Sequence, residues 1–281
     1  MEKEMFVRFL SESLRRLGMR VTETQFRKLG TSYTGLSLQD GVSAVYNVDK
    51  AYEEYQMGRP IRRICKEAAT VLHMPIDIRL ENLDFINTFD EAKSRLFIRV
   101  SNRNHNAKYL KSVPHVNVMD LSITFHLLID DSSSLQQTAV TNELMTSWNM
   151  DLETLCREAT ISSEHLFPME LMKMSLIFGF QLSAPSEPMV LTNSSHMNGA
   201  SALFYRDAFD KLNEQFKEGC YLIPSSIHEL IAIARRDANA PDLIEMLHST
   251  NSDCRVVSKE DILSDSLYFL DHTGLRRYSD A

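Results

Sequence analysis

Glycine is scarce in this chain: 9 of 281 residues, none arranged as G-x-G-x-x-G or as the Walker G-x-x-x-x-G-K-[ST]. Both patterns wrap backbone amides around a phosphate, so their absence argues against a nucleotide cradle built on loops. Nucleophile signatures are missing too. There is no G-x-S-x-G, Ser225-Ser226 lacks the flanking glycines of an elbow, and no cysteine neighbours a histidine in sequence. The four cysteines, Cys65, Cys156, Cys220 and Cys254, lie far apart without a C-x-x-C pair. The first three sit in apolar patterns, where a thiol packs as a small hydrophobe. That suits a reducing cytoplasm better than a disulfide or zinc scaffold. Long apolar runs are also lacking. The longest, Met174–Leu182, contains Ser175 and Gln181 and falls far short of the ~20 residues of a spanning helix. The charged opening Met1-Glu2-Lys3-Glu4 has no h-region of a signal peptide. The expected location is the cytoplasm, with no membrane partner.

An excess of positive charge is missing as well. The net charge is −8, and a nucleic-acid backbone calls for clustered Lys and Arg, so nucleic acid is not the expected partner. The short basic groups (Arg15-Arg16, Arg62-Arg63, Arg235-Arg236, Arg276-Arg277) read as solvated faces. What is present is ordinary globular composition, 43% apolar and 24% charged. The chain is long enough for a sizeable core and fits one large domain or two lobes, divided as 1–110 and 111–281.

The patterning mixes both periods. Phe6, Phe9, Leu10, Leu14 and Leu17 form one stripe of an opening helix that Gly18 stops. From Met19 to Val48 three short strands suggest an antiparallel meander, with turns at Thr34-Gly35 and Gly41. Asn47 or Asp49 caps a helix that breaks at Gly58, and Pro60 opens another. A helix is expected from Asp84 to Ser94, then a strand Leu96–Ser101 and a polar loop Asn102–Asn106. Ser122–Ile129 reads as an apolar strand ending in the turn Asp130–Ser134, with Gln137–Thr141 returning beside it. Asp151 caps a helix through Leu155 and Ala159, and Ile161–Phe180 has no clear period beyond a short helix expected after Pro168. Met189–Thr192 and Ala200–Phe204 read as a strand pair. Phe209, Leu212 and Phe216 mark a helix, Pro241 opens another, and Leu267–Leu270 is a last strand. The expected class is α+β, antiparallel sheets with peripheral helices.

Within Gly219–Ala234, two apolar runs flank Pro224-Ser225-Ser226 and His228-Glu229, which reads as two buried strands around a turn. His228-Glu229 begins like H-E-x-x-H, but Ala232 stands where the second metal ligand belongs, so this is no zincin. The remaining readings for His228 are a general base or a turn residue bonded to its neighbours. His115, Asp120 and His126 form a second cluster. On an extended chain Asp120 and His126 share a side, while His115 faces the other way.

The series Pro114-His115-x4-Asp120-Leu121, Trp148 with Leu155, Leu191-x-Asn193, Gly199-Ala200-x-x-Leu203-x-Tyr205, Pro224–Glu229 and Leu263-Ser264-Asp265-Ser266-x-Tyr268 resembles a bacterial family catalogued as a domain of unknown function. The resemblance covers nearly the whole chain and is best after residue 110. One departure is that relatives carry an Asn shortly before the Leu-Phe-Pro step, where this chain has Ala159 or Thr160. The resemblance implies no activity. Candidate binding residues are His115, Asp120, Asn193, Ser226, His228 and Glu229, with no catalytic residue, metal or cofactor assigned. The expected function is a non-catalytic binding or regulatory module with a protein partner. The alternatives are a hydrolase or metal-assisted enzyme using His115, Asp120, His228 and Glu229, and a stoichiometric inhibitor of a host or phage factor.

Overall fold

A computed structural model describes residues 1–28, 31–39, 44–73, 80–130, 136–179, 187–253 and 255–278. Gly41, Cys254 and residues 131–134 of the turn expected at Asp130–Ser134 lie outside them, while Asp130 itself belongs to a strand, opposite Gln136. The chain forms two compact units, Met1–Asn82 and Leu83–Ala281. The boundary expected after residue 110 therefore falls inside the second unit. All three sheets are antiparallel, and the class is α+β.

In the first unit, α1 (Lys3–Arg16) precedes β1 (Val21–Lys28), β2 (Thr31–Leu38) and β3 (Tyr46–Asn47), followed by α2 (Val48–Gln56) and α3 (Ile61–Leu72). The opening stripe buries Phe6, Leu10 and Leu14 but leaves Phe9 and Leu17 exposed. Gly18, at φ +84°, ends the helix in the left-handed region. The Asn47 side chain accepts the Lys50 amide and caps α2. Thr34-Gly35 is no turn: it lies inside β2, with Gly35 opposite Thr24. A Cβ at Gly35 would come 2.6 Å from the Phe26 ring, so glycine here serves close packing. Ile64, Ala68 and Leu72 of α3 close the core against α1.

In the second unit, the helix expected over Asp84–Ser94 is divided into a 3-10 turn Leu80–Ile86 and a short α4 (Phe89–Ala92). The Trp148 indole fixes that break, donating to the Ile86 carbonyl at 2.8 Å and meeting Phe89 edge-on. There follow β4 (Leu96–Asn102), α5 (Ala107–Leu110), β5 (His115–Val118), β6 (Leu121–Asp130) and β7 (Gln136–Ala139). Next come α6 (Asn142–Ser147), α7 (Leu152–Leu166), β8 (Met169–Lys173), α8 (Met174–Phe178) and β9 (Met189–Asn193). The chain continues through α9 (Ala208–Gln215), β10 (Cys220–Ser226), β11 (Glu229–Ala234), α10 (Ala240–Ser252), β12 (Tyr268–Asp271) and β13 (Gly274–Arg277). Strands β4, β5, β6 and β7 make one sheet, with β6 central. The other runs β13-β12-β10-β11-β9-β8.

Helix α7 protects the outer edge of β4, whose Ile98 amide donates to Ser163 Oγ at 2.8 Å. Ala200–Phe204 is not the expected strand but part of a 3-10 turn, Gly199–Phe204. Its intended partner β9 is already paired on both sides, with β8 and β11.

Candidate functional site

Strands β5 and β6 meet in a two-residue turn, Met119-Asp120, between the paired Val118 and Leu121. The chain reverses there, so alternation does not carry across it. His115 lies opposite Thr124 and shares its face with His126, against the expectation that His115 and His126 face opposite ways. Asp120 sits at the turn and points into a knot with a segment far along the chain. Its Oδ2 accepts the Ser264 hydroxyl at 2.6 Å and its Oδ1 the Tyr268 hydroxyl at 2.8 Å. Its carbonyl accepts the Arg103 amide. Asn102, at the end of β4, donates to the Leu263 carbonyl at 3.1 Å and completes the knot. Burial pushes the Tyr268 hydroxyl pKa up, keeping it a donor.

The same segment also ties the β10–β11 hairpin. The Ile227 amide donates to the Asp261 carbonyl at 2.9 Å. In this hairpin turn, His228 Nδ1 accepts the Asn198 amide at 3.1 Å. An amide can only donate, so Nδ1 holds the lone pair and a neutral ring carries its proton on Nε2, 3.8 Å from Asp261 Oδ1. The His228 carbonyl accepts the Thr192 hydroxyl at 2.8 Å, and its amide donates to Ser226 Oγ at 3.0 Å. Glu229 Oε1 accepts the Ser225 hydroxyl at 3.2 Å. Gly199 lets these pieces close, since a Cβ there would stand 2.1 Å from Thr192 Oγ1 and 2.4 Å from the His228 carbonyl. Asn193 is buried and holds the adjoining loop, donating to the Met197 carbonyl and accepting the Ser195 hydroxyl.

The structure thus gathers Asn193, Ser226 and His228 around one hairpin and ties Asp120 to the segment that reaches it. His115 stands apart, with its Nδ1 donating to the Val113 carbonyl at 3.0 Å. No hydrogen bond or ion pair joins any two of His115, Asp120, His228 and Glu229 among the described residues. Nor does any group of three His, Cys, Asp or Glu side chains there form a metal site.

Sequence reasoning missed the polar face of the β4–β6 sheet. Antiparallel register places Arg99 opposite Thr124, Ser101 opposite Ser122 and Phe97 opposite His126. All are buried, with Arg99 6% exposed. Thr124 Oγ1 and His126 Nε2 lie 3.0 Å apart, and the Ser122 hydroxyl donates to Asn117 Oδ1 at 2.6 Å. Burial, helped by the Arg99 charge, holds the His126 pKa well below its ordinary value, so the ring stays neutral. Burial lowers the Arg99 pKa to about 10, which leaves it charged at neutral pH. Asp261 acts on Arg99 through its charge, whereas Tyr109 of α5 is a neutral phenol whose pKa burial raises. The available signal was a lone arginine in Leu-Phe-Ile-Arg-Val-Ser, beside Ser, Thr and His alternating with apolar residues in Leu121–Leu127.

Fold and site together define an α+β protein whose second unit is cross-tied through one C-terminal segment. Over residues 3–272 the chain matches the family described as Family of unknown function (DUF5688), and it belongs to that family. No curated protein and no solved structure matches it. No helix among the described residues is long and apolar enough to cross a membrane.

Proposed function

We propose that the protein is a binding or regulatory module that works without catalysis in the bacterial cytoplasm, with a protein as its partner. One observation carries this reading: the Asp120 oxygens and the His228 Nδ1 are occupied within the fold. Both Asp120 oxygens accept hydroxyls, and the His228 Nδ1 lone pair accepts a backbone amide. A general base needs that lone pair, or a vacant carboxylate oxygen, within reach of substrate. A protein partner is supported by Met5 and Phe9, one helical turn apart on α1 and 56% and 45% exposed. A reducing compartment is supported by the thiols. Burial pushes the Cys220 pKa up to about 12 and raises those of Cys65 and Cys156, so all three stay protonated and inert.

Native mass spectrometry of the tagged protein recovered from its own host tests the reading. A protein partner at fixed stoichiometry is the expected result. A bare chain would overturn it, as would a turnover activity abolished by His228→Ala.

A further inference from the structure

Arg99 places a charge on a buried sheet face with no ion-pair partner among the described residues. The residue is only 6% exposed, and its Nε is buried with no hydrogen-bond partner. Among the described residues nothing forms a hydrogen bond or ion pair with the guanidinium. Proteins rarely tolerate this arrangement, because a buried charge left alone keeps the full cost of leaving water. Two residues on, and on the same face, the buried Ser101 hydroxyl also lacks a partner. A guanidinium can only donate and a hydroxyl can donate, so the missing group is an acceptor. Of the other polar side chains of the face, Thr124 is engaged with His126, Ser122 with Asn117, and His115 through its Nδ1 with the Val113 carbonyl. Asp261 acts on Arg99 through its charge.

We propose that this face is a binding site for a small oxyanion, a carboxylate or phosphate group that closes on the Arg99 guanidinium fork and accepts from Ser101. The planar fork matches two oxygens of such a group with parallel hydrogen bonds, which a lysine cannot reproduce. The site is separate from the protein-partner reading. Its experiments detect a bound anion, and their failure leaves that reading untouched.

The test is thermal unfolding and calorimetric titration of the full chain with sodium acetate and with sodium phosphate, each against sodium chloride at equal ionic strength. One of the two anions is expected to raise the melting temperature saturably and to bind with measurable heat. A response to acetate assigns a carboxylate ligand, and a response to phosphate assigns a phosphate group. Arg99→Lys weakens the apparent affinity at least about tenfold. Arg99→Met abolishes the response, while without anion it melts at or above the wild type because the lone charge is gone. No saturable response beyond that of chloride, or an equal response in Arg99→Met, overturns the proposal. If Arg99→Met does not fold, the Arg99 Nε–H resonance of the wild type decides. It must move during titration with the responding anion, and a stationary resonance also overturns the proposal.

Discussion

Asp120 and His126 stand six residues apart and serve the fold in opposite electrostatic states. Asp120 is an acceptor for two hydroxyls, and hydrogen bonds to a charged acceptor are each worth about 1.5–3 kcal/mol net. His126 is held neutral, and its protonation opposes folding. An unfolded histidine titrates near about 6.5, whereas the folded His126 does so well below its ordinary value. Between those two values the unfolded chain binds one proton more than the folded chain, so stability rises with pH there. The His126 contribution is complete above about pH 6.5 and is lost as pH falls toward the folded pKa, at no more than about 1.4 kcal/mol per unit. Urea midpoints from pH 7.5 downward are expected to fall less steeply in His126→Gln, by about one proton. Identical slopes in the two proteins would contradict the neutral, buried ring.

Among the elements, those whose burial follows one period were readable from sequence. The α1 stripe appears as read at Phe6, Leu10 and Leu14, and the β10–β11 hairpin lies where two apolar runs flank Pro224-Ser225-Ser226. Strand β6 hides its character because both of its faces are buried. Ser122, Thr124 and His126 would be the solvent side of a half-exposed strand, yet here they are sealed. Strand β8 stands where a short helix is expected after Pro168, and it shows no alternation because its first four residues are all half-buried. Ala200–Phe204 misleads for another reason: five small or apolar residues fit a strand as well as a tight 3-10 turn. Pairing elsewhere in the sheet makes the choice, and Gly199 lets that turn press against the hairpin. Gly199→Ala is expected to cost about 3 kcal/mol through overpacking, read from urea unfolding followed by Trp148 fluorescence. A loss within about 0.5 kcal/mol of zero, ordinary for an unconstrained surface site, would show that the contact relaxes cheaply.

At the scale of the whole molecule, the α+β class and the antiparallel sheets were readable, but the cross-ties were not. Asp120 meets Ser264 and Tyr268 across 144 and 148 residues, and no local periodicity encodes such a pair. The division into units after Asn82, rather than after residue 110, also depends on pairing between distant segments. Among the described residues the strand partner of Leu96–Asn102 is Leu121–Asp130, and both lie in the second unit. Of the candidate residues, Asp120 and His228 could be picked out by their chemistry. That their polar atoms are occupied by a hydroxyl pair and a backbone amide is decided only by the fold. The account rests on that occupancy, and the His228 ring reports it most directly. Long-range 1H–15N spectroscopy at neutral pH is expected to show one tautomer, protonated on Nε2, with Nδ1 accepting the Asn198 amide. A ring protonated on Nδ1 would contradict the account, because the Nε2 lone pair would then be available for proton transfer.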